Sequence, residues 1–341
     1  MPRRDVEWAD ADTRFRAAFW AADAGAVARA YLNTTRAISL DVARSAGVGY
    51  FAPQTATKEM LEWIPRGLEQ GGALVFPIRT ADGEVVGFKF RAVPGVAAEQ
   101  APRYTGTTGE MHGAMFGWHQ HVDSDERILA IEGEIDQLSL DTVRQQHPDL
   151  PLPLAWYGNT LTSKRLEWMQ ARGIQHVLLA LDADAGGWKG VLRSGRLLGE
   201  AGIAHDVLRL PAGMDPNEVL TAGGSDILAH FIRQGPRRSL LEAHAEQLTM
   251  TGISAVDPLY ARRVLVETAV ATERLISARE VSRACRTVML PTAMFRDALP
   301  ESLWRTGTRV TSASETVATA LRERTGHSVE SGTNATASIG V

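Results

Sequence analysis

The sequence predicts an α/β protein in which a mostly parallel sheet is flanked by helices, preceded by a mixed α+β segment and followed by a helical region. Three observations carry this expectation. Between residues 126 and 211 short apolar runs alternate with amphipathic stretches, the pattern of βα units whose parallel sheet is covered on its faces. Upstream, two apolar runs flank Asp82-Gly83, a strong hairpin signal. The chain has 341 residues, 44% hydrophobic and 22% charged, enough for about two domains of usual size.

In chain order, residues 1–35 set Phe15, Phe19, Val27 and Leu32 among Ala and charged residues, as a helix does. GYFAP (49–53) reads as a turn, and GALVFPIRT (72–80) with EVVGFKFRAV (84–93) as the hairpin. RILAIEG (127–133), LPLAWYG (152–158), HVLLALD (176–182) and HDVLRLP (205–211) read as strands. The helices between them are 134–146, a capped helix over 162–173, and 187–202. Residues 236–310 carry helical periodicity, and 311–341, rich in Ser, Thr, Ala and Gly, read as a flexible tail. The expected domains are 1–125, 126–235 and the helical module 236–310.

Composition narrows the function. A single cysteine, Cys285, excludes a disulfide framework and any cysteine-based zinc site. The net charge of −4 gives no general basis for nucleic-acid binding, although Arg outnumbers Lys 32 to 4 and is the better bidentate phosphate ligand. No window reaches the ~18 uncharged apolar residues of a membrane span, and MPRRDVEWAD is too charged for a signal peptide. A cytoplasmic location and no membrane partner are expected.

Three acidic clusters follow apolar strands. Glu132 ends the first strand in ILAIEGEID, with Asp136 one helical turn on. Asp182 and Asp184 end the third in LLALDADAGG. Asp215 follows the fourth in PAGMDPNE, with Glu218 three residues later. Taken singly, Asp184 or Asp215 reads as a helix N-cap. Taken together, carboxylates at the carboxyl ends of parallel strands share one edge, where α/β proteins bind ligands. Their mutual repulsion calls for protons or cations. Oxygen ligands without His or Cys select Mg²⁺ or Mn²⁺ over zinc, and such ions serve phosphoryl transfer. Gly133, Gly186 and Gly187 leave room for backbone approach at helix starts, where anions are favoured.

An apolar strand ending in Glu-Gly, then one ending in Asp-x-Asp, resembles the Toprim domain of bacterial-type primases, topoisomerases and some nucleases. EGEIDQLSL (132–140), LALDADAGG (179–187) and GMDPNEVL (213–220) are similar to the three motifs of the primase polymerase core. The segments 28–53 and 72–91 resemble the region that precedes Toprim in those primases, and GAMFGWHQ (113–120) before EGEID is closest to the primase half of phage primase-helicases. The likeness covers roughly residues 26–235.

The resemblance implies a DNA-dependent RNA polymerase that makes primers on single-stranded DNA from nucleoside triphosphates with two Mg²⁺ or Mn²⁺ ions, in a phage, plasmid or mobile-element setting. Glu132, Asp182 and Asp184 would be catalytic. Glu132, Asp182, Asp184 and Asp215 would be the metal set, supported by Asp136 and Glu218. Lys89, Arg91, Arg103 and Lys189 would bind nucleotide or template. A replicative helicase or a separate template-recognition protein would be the partner, because no zinc ribbon or GxxxxGK[ST] loop occurs in these 341 residues.

Departures from the family pattern are His112-Gly113-Ala114 in place of Lys-Gly-Arg, Trp188 in place of Arg, and Asp215-Pro-Asn217 in place of Asp-Pro-Asp. The last leaves one carboxylate fewer. Two other readings stay open, a Toprim nuclease and a non-catalytic module that binds single-stranded DNA or a helicase.

Overall fold

A computed structural model describes residues 8–55, 57, 64, 68, 72–96, 102–107, 113–120, 125–182, 184–211, 214–271 and 276–299. His112 and the expected tail at 311–341 lie outside the described residues. The chain divides into two compact units, Met1–Leu240 and Leu241–Val341.

The first unit opens with α1 (Trp8–Trp20), α2 (Ala26–Ala30), a π-helical turn at Tyr31–Thr35 and α3 (Leu40–Ser45). The one long helix expected over 1–35 is therefore broken. At Gly25 the chain folds back so closely that a Cβ would lie 1.9 Å from the Phe19 carbonyl oxygen. Phe15, Phe19, Ala28 and Leu32 are buried, as their spacing demands, whereas Val27 is exposed.

The turn expected at 49–53 is instead β1 (Gly49–Phe51). Its residues pair antiparallel with Ala73–Val75, and all three are buried. Long-range pairing overrides the local Gly and Pro signal here. Gly49 is what allows it, since a Cβ would meet Phe15 Cβ at 2.5 Å. The hairpin forms as expected from β2 (Ala73–Arg79) and β3 (Val85–Ala92), and β4 (Tyr104–Gly106) adds to β3. These four strands make an antiparallel sheet in the order β1-β2-β3-β4. Phe15, Phe51, Phe88 and Phe90 fill the core on one of its faces.

The second sheet contains β5 (Arg127–Ile131), β6 (Leu152–Ala155), β7 (His176–Leu179), β8 (Ala204–Leu208) and β9 (Arg237–Arg238). Its order is β6-β5-β7-β8-β9. The first four strands are parallel, and β9 closes the edge antiparallel to β8. That short strand falls where helix was expected to begin. Ile128–Ile131 and Val177–Leu179 are wholly buried, as strands covered on both faces must be.

The crossovers run through α4 (Glu134–Gln146), α5 (Ser163–Ala171) and α6 (Ala185–Glu200), and α7 (Pro216–Gln234) joins β8 to the antiparallel β9. One apolar cluster joins Phe19, Leu32, Ile38 and Val48 of the amino-terminal segment to Leu129, Ile131, Leu138 and Val219 of the parallel sheet and its helices. The two sheets of this unit therefore share a core.

The second unit is helical. It comprises α8 (Leu240–Met250), α9 (Ile253–Val256), α10 (Pro258–Ala271), α11 (Ala278–Thr287) and α12 (Thr292–Arg296). Its core includes Leu248, Leu265, Val281, Cys285 and Phe295. Ser277 and Glu280 form a capping box at the start of α11. No helix among the described residues is long and apolar enough to cross a membrane.

Candidate active site

Successive crossovers from β5 lead first to β6 on one side and then to β7 on the other. The chain thus reverses its direction of travel across the sheet at β5, and such a switch point opens a crevice at the carboxyl ends of the strands. Glu132 leaves β5 at this point, and Asp182 follows β7. The Asp182 main-chain N–H donates to Glu132 Oε1 at 3.2 Å.

The remaining carboxylates sit at helix starts. Asp184 caps α6, accepting from the Gly187 N–H at 2.8 Å. Asp215 caps α7 in a reciprocal box with Glu218: the Glu218 N–H donates to Asp215 Oδ1 at 2.7 Å, and the Asp215 N–H to Glu218 Oε2 at 3.0 Å. Asp136, in the first turn of α4, accepts the Asn217 N–H at 3.2 Å. Capping and clustering coexist, because one oxygen of each cap is enough to hold the backbone. Gly187 packs tightly against the site. A Cβ there would lie 2.0 Å from the Asp182 carbonyl oxygen and 2.9 Å from Glu132 Oε1.

Crowding of negative charge shows in the proton affinities. Burial, then Asp182 and Asp184, push Glu132 up to about 7, against the Asp182 N–H and Lys89, which favour its ionised form. Asp182 is raised by burial and by Asp215 and Asp184. Burial and Asp215 raise Asp136 strongly. Asp215 is raised by burial despite the Glu218 N–H, Arg36 and Arg103. Four carboxylates that each hold a proton more tightly than usual form a site that favours added positive charge.

The cations divide into two groups. Arg103 is exposed and close enough to stabilise the ionised forms of Asp182 and Asp215. Lys189 is exposed on α6. Arg91 departs from the expected template-facing role, being 3% exposed. Successive residues of β3 face opposite sides of the sheet, so Lys89 and Arg91 share the face away from Phe88 and Phe90, and on that face Arg91 is covered by Tyr31 and Tyr104. Its Nη2 and Nε donate to the Tyr31 hydroxyl at 3.0 and 3.2 Å, and its Nη1 donates to the Tyr104 hydroxyl. Lys89 lies 2.8 Å from the fully buried Glu134, with Tyr104 and Tyr157 rings 4.8 and 5.4 Å from its ammonium. It still acts on Glu132.

Sequence reasoning missed Glu134 and Arg36. Glu134 lies inside EGEID, where Glu132 and Asp136 draw the attention. Arg36 reaches the site from the amino-terminal segment, with its Nη1 3.0 Å from Asn217 Oδ1. No local pattern marks that contact.

An all-oxygen donor set in an electronegative crevice fits a hard divalent cation in its chemistry. Glu132, Asp182, Asp184 and Asp215 are the residues that would hold one. Among the described residues no three His, Cys, Asp or Glu side chains are already grouped around a single point.

Comparison with known proteins places this edge in context. Residues 129–220 match the Toprim-like family model. The DNA primase of Myxococcus xanthus is 28% identical over 240 residues, covering 62% of this chain and 38% of that protein. The DNA primase of Chlamydia muridarum is 26% identical over 170 residues, covering 48% and 27%. The chain spans less than half the length of these relatives. A DNA primase domain from Pseudomonas aeruginosa superposes with a TM-score of 0.60 at 18% identity, covering 85% of this chain and 98% of that one. The RNA polymerase domain of the Mycobacterium tuberculosis primase, solved in complex with double-stranded DNA, superposes with a TM-score of 0.59 at 19% identity, covering 83% and 97%. Residues 129–220 are thus similar to Toprim-like domains, and the chain has the fold of a bacterial primase catalytic core.

Proposed function

We propose that this edge catalyses nucleotidyl transfer, joining ribonucleotides into short primers on a single-stranded DNA template. The observation that carries the reading is the pairing of Glu132 with Asp182 at the switch point, with Asp184, Asp215 and Asp136 gathered at the same edge. Glu132, beside the carboxylates that would hold the cation, is placed to accept the proton of an attacking 3′-hydroxyl. The hydroxyl oxygen bonds to the α-phosphorus of the next nucleotide, and pyrophosphate leaves. Arg103, exposed opposite Asp182 and Asp215, draws phosphate into the crevice.

Asp182, Asp184 and Asp215, flanked by Glu132, would hold Mg²⁺ or Mn²⁺, with Asp136 and Glu218 in support. When bound, such ions acidify the hydroxyl and neutralise charge on the phosphates. A helicase or a template-recognition protein would complete the assembly.

The test incubates the protein with mixed-sequence single-stranded DNA, labelled ribonucleotides and Mg²⁺ or Mn²⁺, beside Asp182→Asn. New short oligomers from the wild type alone support primer synthesis. Shortened template without new product would replace it with a nuclease. Neither product, with DNA still bound, would make the chain a binding module.

A further inference from the structure

Asn217, the second residue of α7, is 1% exposed. Its Nδ2 donates to the Arg36 carbonyl oxygen and to Ser139 Oγ, both at 2.8 Å, while its Oδ1 accepts from Arg36 Nη1 at 3.0 Å. Its main-chain N–H holds Asp136. The Ser139 hydroxyl proton is already given to the Ile135 carbonyl at 2.7 Å, so Ser139 can only accept from Asn217. A carbonyl oxygen also only accepts. The pocket therefore requires two N–H donors and one acceptor on the same short side chain, which among the amino acids only asparagine supplies at this length. An aspartate would set the oxygen replacing Nδ2 against two acceptors.

Arg36 is held from a second side, its Nε donating to the Tyr31 hydroxyl at 2.9 Å. Among the described residues its Nη2 has no hydrogen-bond partner, and the guanidinium acts on Asp215. We propose that Asn217 is a positioning residue whose carboxamide fixes Arg36 at the carboxylate edge, where the remaining Nη2 donors take a phosphate oxygen. Position 217 then serves as a neutral clamp in place of one more metal-facing carboxylate. This rests on the nucleotidyl-transfer reading for the identity of the phosphate, and on geometry alone for the clamp.

The test is a double-mutant cycle with Asn217→Asp and Arg36→Ala, with two readouts. One is the Arg36 Nε–Hε nuclear magnetic resonance signal, identified by its loss in Arg36→Lys. The other is affinity for a fluorescent nucleoside triphosphate with Mg²⁺ and, separately, for a single-stranded oligonucleotide without nucleotide. Asn217→Asp should shift or broaden the Arg36 signal. It should also weaken whichever phosphate ligand Arg36 holds by about tenfold, the scale of one hydrogen bond to a charged group. In the Arg36→Ala background the same substitution should change affinity less than about twofold.

Ser139→Ala, which frees one side of the carboxamide, should move the Arg36 signal in the same direction and keeps the test open if Asn217→Asp does not fold. An unmoved Arg36 signal, or an equal loss of affinity in both backgrounds, overturns the proposal. A wild type that makes no primers overturns the nucleotidyl-transfer reading instead, and the Arg36 signal then decides the clamp.

Discussion

Replacing Glu132 by Gln should stabilise the metal-free protein at alkaline pH while abolishing catalysis. Folding raises Glu132 from 4.5 to about 7, so the folded state binds its proton more tightly than the unfolded state does. Such a group favours folding fully below pH 4.5, and that contribution is lost as pH rises through 7. At about 1.4 kcal/mol per pH unit the shift corresponds to roughly 3 kcal/mol, or about 2 kcal/mol after solvent screening of a half-buried side chain. Gln does not titrate, and its Oε1 still accepts the Asp182 N–H.

Urea unfolding in EDTA at pH 5 and pH 8 checks this. Glu132→Gln should exceed the wild type by about 2 kcal/mol at pH 8 and by much less at pH 5. Mg²⁺ at pH 8 should narrow the gap by offsetting charge in the wild type. A variant no more stable than the wild type at pH 8, or one with the same advantage at both pH values, would refute the electrostatic reasoning.

Three further outcomes are expected. Gly187→Ala should lose primer synthesis and about 1–3 kcal/mol of stability, because its Cβ meets the Asp182 carbonyl at 2.0 Å; wild-type activity and unfolding curves would show that the close approach is dispensable. Lys89→Met strands the buried Glu134 carboxylate, and should cost about 3 kcal/mol in urea unfolding, with at least half regained in Lys89→Met/Glu134→Gln. No recovery in the double variant would count against the pair. Arg103→Ala should lower the slope of log affinity for single-stranded DNA against log salt by about 0.7 without changing stability, and an unaltered slope would remove Arg103 from the phosphate path.

The strand and helix order of 126–211 was legible because buried parallel strands read as continuous apolar runs and their helices as periodic ones, whereas the helix Pro216–Gln234 was marked only by its cap at Asp215. Glu132, Asp182, Asp184 and Asp215 stood out for the same reason, each falling where an apolar run stops. By contrast, β1 was hidden behind a turn-like Gly and Pro, since its strand character comes from pairing with Leu74 and its neighbours. The fates of Arg91 and Lys89 were equally invisible, because the same β3 pattern suits an exposed or a buried face until Tyr31, Tyr104 and Glu134 arrive from elsewhere.

Sequence by itself determined the carboxylate set and the sheet that gathers it, both written in local periodicity. Only the tertiary structure decided which cations meet that set. Arg36 and Asn217 are 181 residues apart in the chain, and contacts over such a separation are fixed by how the core closes, not by any neighbouring residue.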